Sequence, residues 1–310
     1  MQQADYQLII VGGGPAGLTA GLYAARARLK ALLLEKGATG GQVLITDWVD
    51  NYPAFPEGVN GFDLIDKMTA HVDRFDLEKK FSTVTSLDLA QDVKTLFLEN
   101  GEQLTGQTVI ICTGAKPRKI GVKGEEELRG KGVSYCATCD GPFYRNQEIA
   151  VVGGGNTAIQ EAIHLTKFAS KITVIHRRDE LRATKILQEK AFAEKKIDFL
   201  WNAEVSEIVG GKTGVESLKI AHKDGTTSSL PVTGIFILIG IEPNNEILPL
   251  EQLVTDDNGF IVTDTEMCTN LPGVYAAGDI RSKKSRQIIN AAGEGATAEL
   301  SAEYYLGHLE

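Results

Sequence analysis

Two cysteines separated by two residues, Cys136 and Cys139, stand directly before an acidic residue, Asp140. Such a pair can close a small disulfide, and one of its thiols can have a lowered pKa and act as the nucleophile in thiol–disulfide exchange. Asp140 is the nearest carboxyl group that could protonate a leaving thiolate, unless it only forms a turn before Gly141 and Pro142. The pattern therefore indicates redox chemistry at Cys136, Cys139 and Asp140.

A zinc site is the main alternative use of paired cysteines, because structural zinc usually takes four Cys or His ligands. The chain has four cysteines and five histidines, but it contains no second C-x-x-C and no closely spaced pair of histidines. Cys112 lies in an apolar run and Cys268 near a predicted loop, which favours inert thiols. We therefore predict no metal site and a reducing, cytoplasmic location, because four cysteines are too few for a disulfide scaffold.

Gly12, Gly14 and Gly17 form a G-x-G-x-x-G motif between an apolar segment, Tyr6 to Val11, and a stretch rich in Ala and Leu. These flanks predict a buried strand and a helix. The first glycine permits a tight turn, the second lets the backbone approach a diphosphate, and the third lets helix and strand pack closely. Glu35, which follows Gly12 by 23 positions, could accept hydrogen bonds from a ribose diol. The motif predicts a dinucleotide site that the helix N-terminus completes.

The same order of strand, glycine turn and helix recurs 141 residues later, with the glycine turn at Gly153 to Ala158. A basic cluster stands where the first copy has its acid, and it consists of His176, Arg177, Arg178 and Arg182. An acid would repel a ribose 2′-phosphate, whereas arginines can bind it through charge-assisted hydrogen bonds. Unless the cluster is only a solvated surface, the second site prefers NADPH. A first site that prefers a diol is then most economically assigned to FAD.

The two copies predict an α/β protein with two Rossmann-like dinucleotide-binding domains of the three-layer ββα type. Apolar runs at Thr108–Gly114 and Gly234–Gly240 each lead into a Pro-containing segment, and these segments are the predicted crossings between domains. The second domain is therefore expected to be inserted into the first. Residues 1–115 and 245–310 would bind FAD, and residues 116–244 would bind NADPH and carry the C-x-x-C.

The composition limits the class of partner. A chain of 310 residues is long enough for two domains. Its net charge of −9 disfavours nucleic acids and anionic membranes as partners. The sequence contains no apolar run of roughly 18 residues and no basic, signal-like N-terminus. We therefore predict no nucleic-acid and no membrane partner.

Taken together, the motifs resemble the bacterial low-molecular-weight thioredoxin reductases, of the class II pyridine nucleotide-disulfide oxidoreductase family, over essentially the whole chain. The resemblance rests on Gly12–Gly17, Gly40–Gln42, Cys136–Asp140, Gly153–Ala158, His176–Arg178, Ala276–Asp279 and Arg286–Ile288. It implies a flavoprotein that passes two electrons from NADPH through FAD and the cysteine pair to oxidised thioredoxin. It also implies a homodimer formed through the FAD domains.

The resemblance also implies individual roles. Cys139 would lie against the flavin, Cys136 would attack the substrate disulfide, and Asp140 would be the acid/base. Asp279 would lie near the ribityl chain or diphosphate of FAD, with Arg286–Ile288 along the flavin. The expected FAD-binding residues are Gly12, Gly14, Pro15, Ala16, Gly17, Glu35, Lys36, Gly40, Gly41, Gln42, Asn51, Val84, Thr113, Gly114, Asp279, Arg286, Gln287 and Ile288. The expected NADPH-binding residues are Gly153, Gly155, Asn156, Thr157, Ala158, His176, Arg177, Arg178 and Arg182.

The sequence departs from the family pattern at two places. Gln160 stands where many members have an acid, and residues 281–285 form an unusually basic lead into Arg286. The main alternative function is that of a related flavin disulfide reductase that acts on a peroxiredoxin or a small-molecule disulfide. A flavin-dependent ferredoxin reductase of similar fold lacks the C-x-x-C, and a nucleotide-sensing regulator would have no use for it.

Overall fold

The computed structural model of the protein describes residues 4–46, 48–49 and 51–309, without the side chain of Ile45. Its strands are β1 (Tyr6–Val11), β2 (Ala31–Glu35), β3 (Glu78–Phe81), β4 (Val84–Asp88), β5 (Lys94–Leu98), β6 (Gln103–Ile111), β7 (Ala115–Pro117), β8 (Val133–Ser134), β9 (Glu148–Val152), β10 (Lys171–His176), β11 (Ile197–Trp201), β12 (Ala203–Gly210), β13 (Val215–His222), β14 (Thr227–Pro231), β15 (Gly234–Ile237), β16 (Ile241–Pro243) and β17 (Val274–Ala276). Its α-helices are α1 (Pro15–Arg26), α2 (Gly61–Asp73), α3 (Ala137–Asp140), α4 (Asn156–Leu165), α5 (Lys185–Ala193) and α6 (Ile288–Leu306). Short 3-10 helices cover Gly41–Ile45 and Gly141–Tyr144.

The chain divides into two compact units. The first contains the residues up to Lys116 and those from Glu242 onward, and the second contains Pro117–Ile241. The sequence predicts that the inserted range is 116–244. Residues 1–3, 47, 50 and 310 of the predicted first domain lie outside the described residues. The assignment of FAD to the first unit and NADPH to the second stays a prediction.

The first unit is built on a sheet with the strand order β3-β2-β1-β6-β5-β4, and β17 pairs with the end of β6. β1, β2, β3, β17 and the second half of β6 run parallel, whereas β5 pairs antiparallel with the first half of β6 and β4 pairs antiparallel with β5. Because successive strand residues point to opposite faces, Leu8 and Ile10 pack in the core formed with α1 and α6. Ile9 and Val11 pack in the core that β4 and β5 cover.

The second unit repeats this arrangement. Its parallel sheet has the order β11-β10-β9-β15-β8, and β12, β13 and β14 form an antiparallel sheet. Ile149 and Val151 of β9 pack in the core with α4, while Ala150 packs in the core with β12 and β13. The predicted α/β class with two Rossmann-like domains is thus confirmed. None of the helices that the structure describes is both long and apolar enough to cross a membrane.

One buried acid of α6 has no evident function in this architecture. Glu299 is fully buried, and among the described residues neither of its carboxylate oxygens has a hydrogen-bond partner. Burial raises the pKa of this carboxyl to about 7, and the nearby charge of Glu303 adds to the effect. The folded chain therefore keeps a proton on Glu299 at pH values where the unfolded chain has released it, so stability is lost as the pH rises through about 7.

We expect Glu299→Gln, which removes the ionisable group at nearly constant shape, to raise the midpoint of urea unfolding at pH 8 and to change it little at pH 5. The measurement is a pair of denaturation curves at the two pH values. Glu57→Gln, at an exposed position, is the control and should leave both midpoints unchanged. A Glu299→Gln protein that is less stable than wild type at pH 8 would contradict the argument.

Candidate active site

Cys136 and Cys139 form a disulfide, with their Cα atoms 5.3 Å apart. Cys136 is the N-cap of α3, and its sulfur accepts a hydrogen bond from the N–H of Cys139 at 3.2 Å. Both cysteines are half-buried. The disulfide is therefore held in a fixed position by the surrounding chain and is still accessible to a substrate from solvent. This is the arrangement that thiol–disulfide exchange requires.

The other two cysteines are free thiols. Burial raises the pKa of Cys112 and, to a smaller extent, that of Cys268, which keeps both protonated and weakly nucleophilic. Within the described ranges, no group of three or more His, Cys, Asp or Glu side chains is arranged to hold a metal ion. The disulfide is therefore the redox-active group that the described side chains offer.

Ser134 is a functional candidate that the sequence argument missed. Its buried hydroxyl lies 2.5 Å from Asp140 Oδ2, to which it donates, and it accepts a hydrogen bond from the N–H of Cys136 at 3.1 Å. A serine two residues before a C-x-x-C is too common a feature to be interpreted by itself. In the folded chain it fixes the carboxylate of Asp140 relative to the disulfide.

We expect Ser134→Ala to lower the turnover of a disulfide substrate by roughly tenfold, because a mispositioned acid/base group loses part of its contribution. Rapid reduction of the protein by the nicotinamide cofactor should be unchanged, since that step does not need Asp140. Stopped-flow and steady-state assays separate the two steps. Ser170→Ala, at an exposed position of the same unit, should change neither, and full disulfide turnover in Ser134→Ala would disprove the positioning role.

A cavity of about 620 Å³ lies at the carboxyl edge of the parallel sheet in the second unit, within the size range of small-molecule sites. Its wall contains the whole turn from Gly153 to Ala158 together with His176, Arg177 and Arg182. Arg178 is not part of this wall, and its carbonyl accepts a hydrogen bond from the N–H of Asn202 at 3.2 Å. The structure thus brings together every predicted NADPH-binding residue except Arg178.

The glycine turn from Gly153 to Ala158 leaves its backbone open to a phosphate group. A Cβ on Gly153, where φ is 146°, would lie 2.6 Å from the carbonyl oxygen of Leu238, whereas a Cβ on Gly155 would meet no atom within 4 Å. Asn156 Oδ1 accepts the N–H of Thr184 at 2.8 Å, which ties the start of α4 to the segment after the arginines. The N-terminus of α4 has no side-chain cap and no acid in its first turn. Its N–H groups can therefore bind an anion.

The imidazole of His176 is packed over this turn. A Cβ on Gly154 would come within 2.4 Å of the ring, so a larger residue at this position would have to displace the imidazole. The side chain is buried, and in the part of the chain that the structure describes its Nε2 has no hydrogen-bond partner. Burial lowers the pKa of His176, and the charges of three neighbouring arginines lower it further. A bound phosphate would favour the protonated ring, whose Nε2–H could then donate to a phosphate oxygen.

The first unit carries the matching turn between β1 and α1. A Cβ on Gly12, where φ is 109°, would lie 2.4 Å from the carbonyl oxygen of Cys112, and one on Gly17 would lie 1.8 Å from that of Gly12. A Cβ on Gly14 would meet nothing within 4 Å. Helix α1 starts at Pro15, followed by Ala16, with no side-chain cap and no acid in its first turn. The backbone here is open to an anionic ligand.

Glu35 ends β2 beside this turn. Its carboxylate accepts the N–H of Gly13 at 2.7 Å and that of Gly37 at 3.0 Å. The N–H of Gly40 donates to the carbonyl of Gly13 at 2.7 Å, so the loop after β2 folds back on the glycine turn. This loop contains the predicted residues Lys36 and Gly40, and the predicted residues Gly41 and Gln42 begin the 3-10 helix that follows it.

Other predicted FAD-binding residues come together across long stretches of chain. Asn51 Nδ2 donates to Gln287 Oε1 at 3.0 Å, although the two residues are 236 positions apart. Gln287 is the N-cap of α6, which begins at Ile288. The carbonyl of Thr113 accepts a hydrogen bond from Asn244 Nδ2 at 2.8 Å.

Besides the carboxylate oxygens of Glu299, the first unit has two buried polar atoms without a hydrogen-bond partner among the described residues, Thr113 Oγ1 and Asp279 Oδ1. Lys283 Nζ is 3.5 Å from Asp279 Oδ1. Burial raises the pKa of Asp279, and the charges of Lys283 and Arg286 oppose this shift. Because native proteins rarely leave such atoms unpaired, these residues fit a bound polar ligand such as a flavin dinucleotide.

The basic segment before α6, residues 281–286, forms hydrogen bonds within itself and ion pairs with α6. The guanidinium of Arg286 lies 4.3 Å from the centre of the Phe260 ring and donates to the carbonyls of Lys283 at 2.8 Å and Arg281 at 3.2 Å. Arg281 and Lys283 both form ion pairs with Glu294 at 3.0 Å. The guanidinium of Arg286 thus holds its own segment together, and a contact of Arg286 with flavin stays a prediction.

For two of the predicted FAD-binding residues, Val84 and Gly114, the structure gives only their backbone setting. Val84 begins β4 at the edge of the first unit's sheet, where it pairs with Leu98. Gly114 has a φ of 73° and its carbonyl accepts the N–H of Asn244 at 3.0 Å. Their roles toward a cofactor stay predictions.

Comparison with known protein families and sequences identifies one family. The model of the pyridine nucleotide-disulphide oxidoreductase family matches residues 6–295. The thioredoxin reductase of Listeria monocytogenes serovar 1/2a is 46% identical over 310 residues, which cover 100% of this chain and 96% of the relative. The thioredoxin reductase of Bacillus subtilis is 44% identical over 312 residues, covering 100% of this chain and 97% of the relative.

Comparison with solved structures identifies the same kind of protein. The crystal structure of thioredoxin reductase from Streptococcus pyogenes MGAS5005 matches with a TM-score of 0.93 at 44% sequence identity. The match covers 97% of this chain and 98% of that chain. The likeness therefore extends over both units.

Proposed function

The chain belongs to the pyridine nucleotide-disulphide oxidoreductase family and, within it, to the low-molecular-weight bacterial thioredoxin reductases, and from this premise we propose that it reduces oxidised thioredoxin with electrons from NADPH. As a family member it is an oxidoreductase that uses a flavin and a pyridine nucleotide. The observation that carries the proposal is the Cys136–Cys139 disulfide, next to Asp140, in the unit whose cavity presents His176 and Arg177.

In the proposed reaction NADPH and one proton are consumed, and the disulfide of thioredoxin becomes two thiols. FAD, when bound, supplies the two-electron relay between the nicotinamide and the Cys136–Cys139 disulfide. The Cys136 thiolate then attacks the thioredoxin disulfide and releases one of its sulfurs, to which Asp140 gives a proton. Cys139 attacks Cys136 in the mixed disulfide, which releases reduced thioredoxin and re-forms the Cys136–Cys139 bond.

The two cofactors are assigned by the groups that would bind them. Glu35 suits a ribose diol. The open turn at Gly14, together with the buried oxygens of Thr113 and Asp279 that lack a hydrogen-bond partner among the described residues, suits FAD in the first unit. The basic wall of the cavity suits the 2′-phosphate of NADPH in the second unit.

The test is an anaerobic titration of the FAD-loaded protein with NADPH, followed by addition of oxidised thioredoxin. We expect NADPH to bleach the flavin absorbance and thioredoxin to restore it, with catalytic turnover. A peroxiredoxin disulfide and a small-molecule disulfide are run in parallel. Faster turnover with either of these than with thioredoxin would assign the chain to another flavin disulfide reductase.

We further propose that the protein works as a cytoplasmic homodimer. The free thiols of Cys112 and Cys268 suit a reducing compartment, and the homodimer follows from the family resemblance. Light scattering of the purified FAD-loaded protein should give about twice the chain mass of 33.5 kDa. A monomer at assay concentrations would reject the dimer without affecting the proposed reaction.

A further inference from the structure

The basic segment, residues 281–286, follows the end of β17, which pairs with β6 in the parallel sheet of the first unit. Asp279 lies between β17 and this segment. The preceding residue, Gly278, packs against the first turn of α1, because a Cβ on Gly278 would lie 3.1 Å from that of Ala16. Asp279 therefore lies at the carboxyl edge of the sheet, next to the glycine turn of the first unit.

The ammonium group of Lys283 lies between two carboxylates. It is 3.0 Å from each oxygen of Glu294 and 3.5 Å from Asp279 Oδ1. Because 11% of the Lys283 side chain and 14% of the Glu294 side chain are exposed, water screens this ion pair less than a surface pair. Glu294 is itself fixed, since its Oε2 accepts the N–H of Gly278 at 2.8 Å. Lys283 is thus held in place beside Asp279.

The two arginines of the basic segment make different contacts. Arg281 forms its ion pair with Glu294, at 3.0 Å. The Nε of Arg286 lies 3.5 Å from Asp279, but from its backbone carbonyl oxygen. The contact that Lys283 makes is with the side-chain carboxylate of Asp279. Among these three cations, Lys283 is therefore the one placed to fix the position of that carboxylate.

The carboxylate of Asp279 is suited to accept a further hydrogen bond. Its Oδ1 is buried without a hydrogen-bond partner among the described residues, whereas 35% of the side chain is exposed. The charge of Lys283 opposes the rise in the pKa of Asp279 that burial causes, and so favours the ionised form. An ionised carboxylate only accepts hydrogen bonds. It therefore suits a hydroxyl donor of FAD, and not the diphosphate, which is negative and has no donor.

We propose that Lys283 is a positioning residue of the FAD site and orients the Asp279 carboxylate to accept a hydrogen bond from a ribityl hydroxyl. The inference rests on the proposed binding of FAD in the first unit. Lys283 acts through Asp279 and needs no contact of its own with the cofactor. Removal of its charge should therefore weaken FAD binding only while the Asp279 carboxylate is present.

The test measures how fast FAD leaves the FAD-loaded, full-length protein after dilution, from the rise in the fluorescence of free flavin. We expect Lys283→Gln to release FAD roughly tenfold faster than wild type, as for the loss of one charge-assisted contact. Lys283→Arg, which keeps the charge, should release FAD at nearly the wild-type rate. Lys284→Gln is the matched control, because it removes the same charge from an exposed position of the same segment, and it should not change the rate.

The double variant Lys283→Gln/Asp279→Asn separates a positioning role from a general structural one. Asp279→Asn alone should release FAD at least as fast as Lys283→Gln. If Lys283 acts through Asp279, the double variant releases FAD no faster than Asp279→Asn, since the two changes remove the same contact. Effects that multiply would mean that Lys283 stabilises the segment through Glu294, and would overturn the inference. An unchanged rate in Lys283→Gln, or an equal increase in Lys284→Gln, would also overturn it.

The same measurements distinguish failure of this inference from failure of the proposed function. A wild-type protein that cannot be loaded with FAD would reject the proposed function. If the wild type holds FAD and Asp279→Asn releases it faster, but Lys283→Gln does not, the FAD site stands and only the role of Lys283 falls. Near-UV circular dichroism identical to wild type verifies that Lys283→Gln is folded. If it is not, Lys283→Met, with an uncharged side chain of similar length, takes its place in the same comparison.

Discussion

Cys136→Ser and Cys139→Ser are each expected to lose thioredoxin turnover by about a thousandfold or more, because removing either member of a catalytic pair stops the cycle. A single thiol can neither re-form the disulfide nor resolve the mixed disulfide with thioredoxin. Both variants should still be reduced by NADPH at the flavin, since that step precedes the thiols. Steady-state assays with thioredoxin and anaerobic NADPH titrations measure the two steps separately.

The two variants should also differ from each other. Cys136→Ser retains the thiol of Cys139, which by the family resemblance lies against the flavin, and its thiolate should give a long-wavelength absorption band. Cys139→Ser should not show this band. Cys268→Ser is the matched control, because it removes a free, half-buried thiol, and it should turn over normally. Near-wild-type thioredoxin reduction by either active-site variant would refute the two-thiol relay.

The second large effect is expected for Arg177→Gln combined with Arg182→Gln, the two arginines that follow β10 in the cavity wall. Each charge-assisted hydrogen bond to a 2′-phosphate is worth roughly 1.5–3 kcal/mol, so the KM for NADPH should rise on the order of 10² or more. The KM for NADH should change little, because NADH has no phosphate at this position. The measurement is steady-state kinetics with each cofactor.

Arg145→Gln is the control for this pair. It makes the same charge change in the same unit, at an arginine that lies over the ring of Phe168 and outside the cavity wall. Both KM values should remain those of the wild type. If the Arg177/Arg182 variant loses NADPH and NADH equally, the arginines do not recognise the 2′-phosphate and the NADPH assignment loses its main support.

The sequence by itself determined the fold class and the kind of chemistry. Strand and helix patterns around Gly12–Gly17 and Gly153–Ala158 are local, because turn geometry and side-chain periodicity depend on residues a few positions apart. The C-x-x-C is local for the same reason, since α3 is a single turn that brings Cys136 and Cys139 together. The contrast between Glu35 and His176 needs only a count of residues from each glycine turn. These features could therefore be predicted before any contact was known.

Only the tertiary structure decided which distant residues complete the sites. Asn51 meets Gln287 across 236 positions. The N–H of Arg118 donates to the carbonyl of Gly240, and both residues border the cavity. Such contacts depend on strand order and on how segments far apart in the chain pack, which no local pattern encodes. The same holds for Ser134, whose role appears only when β8 and α3 bring its hydroxyl to Asp140. The local sequence names the chemical groups, and long-range packing selects those that are close enough to act together.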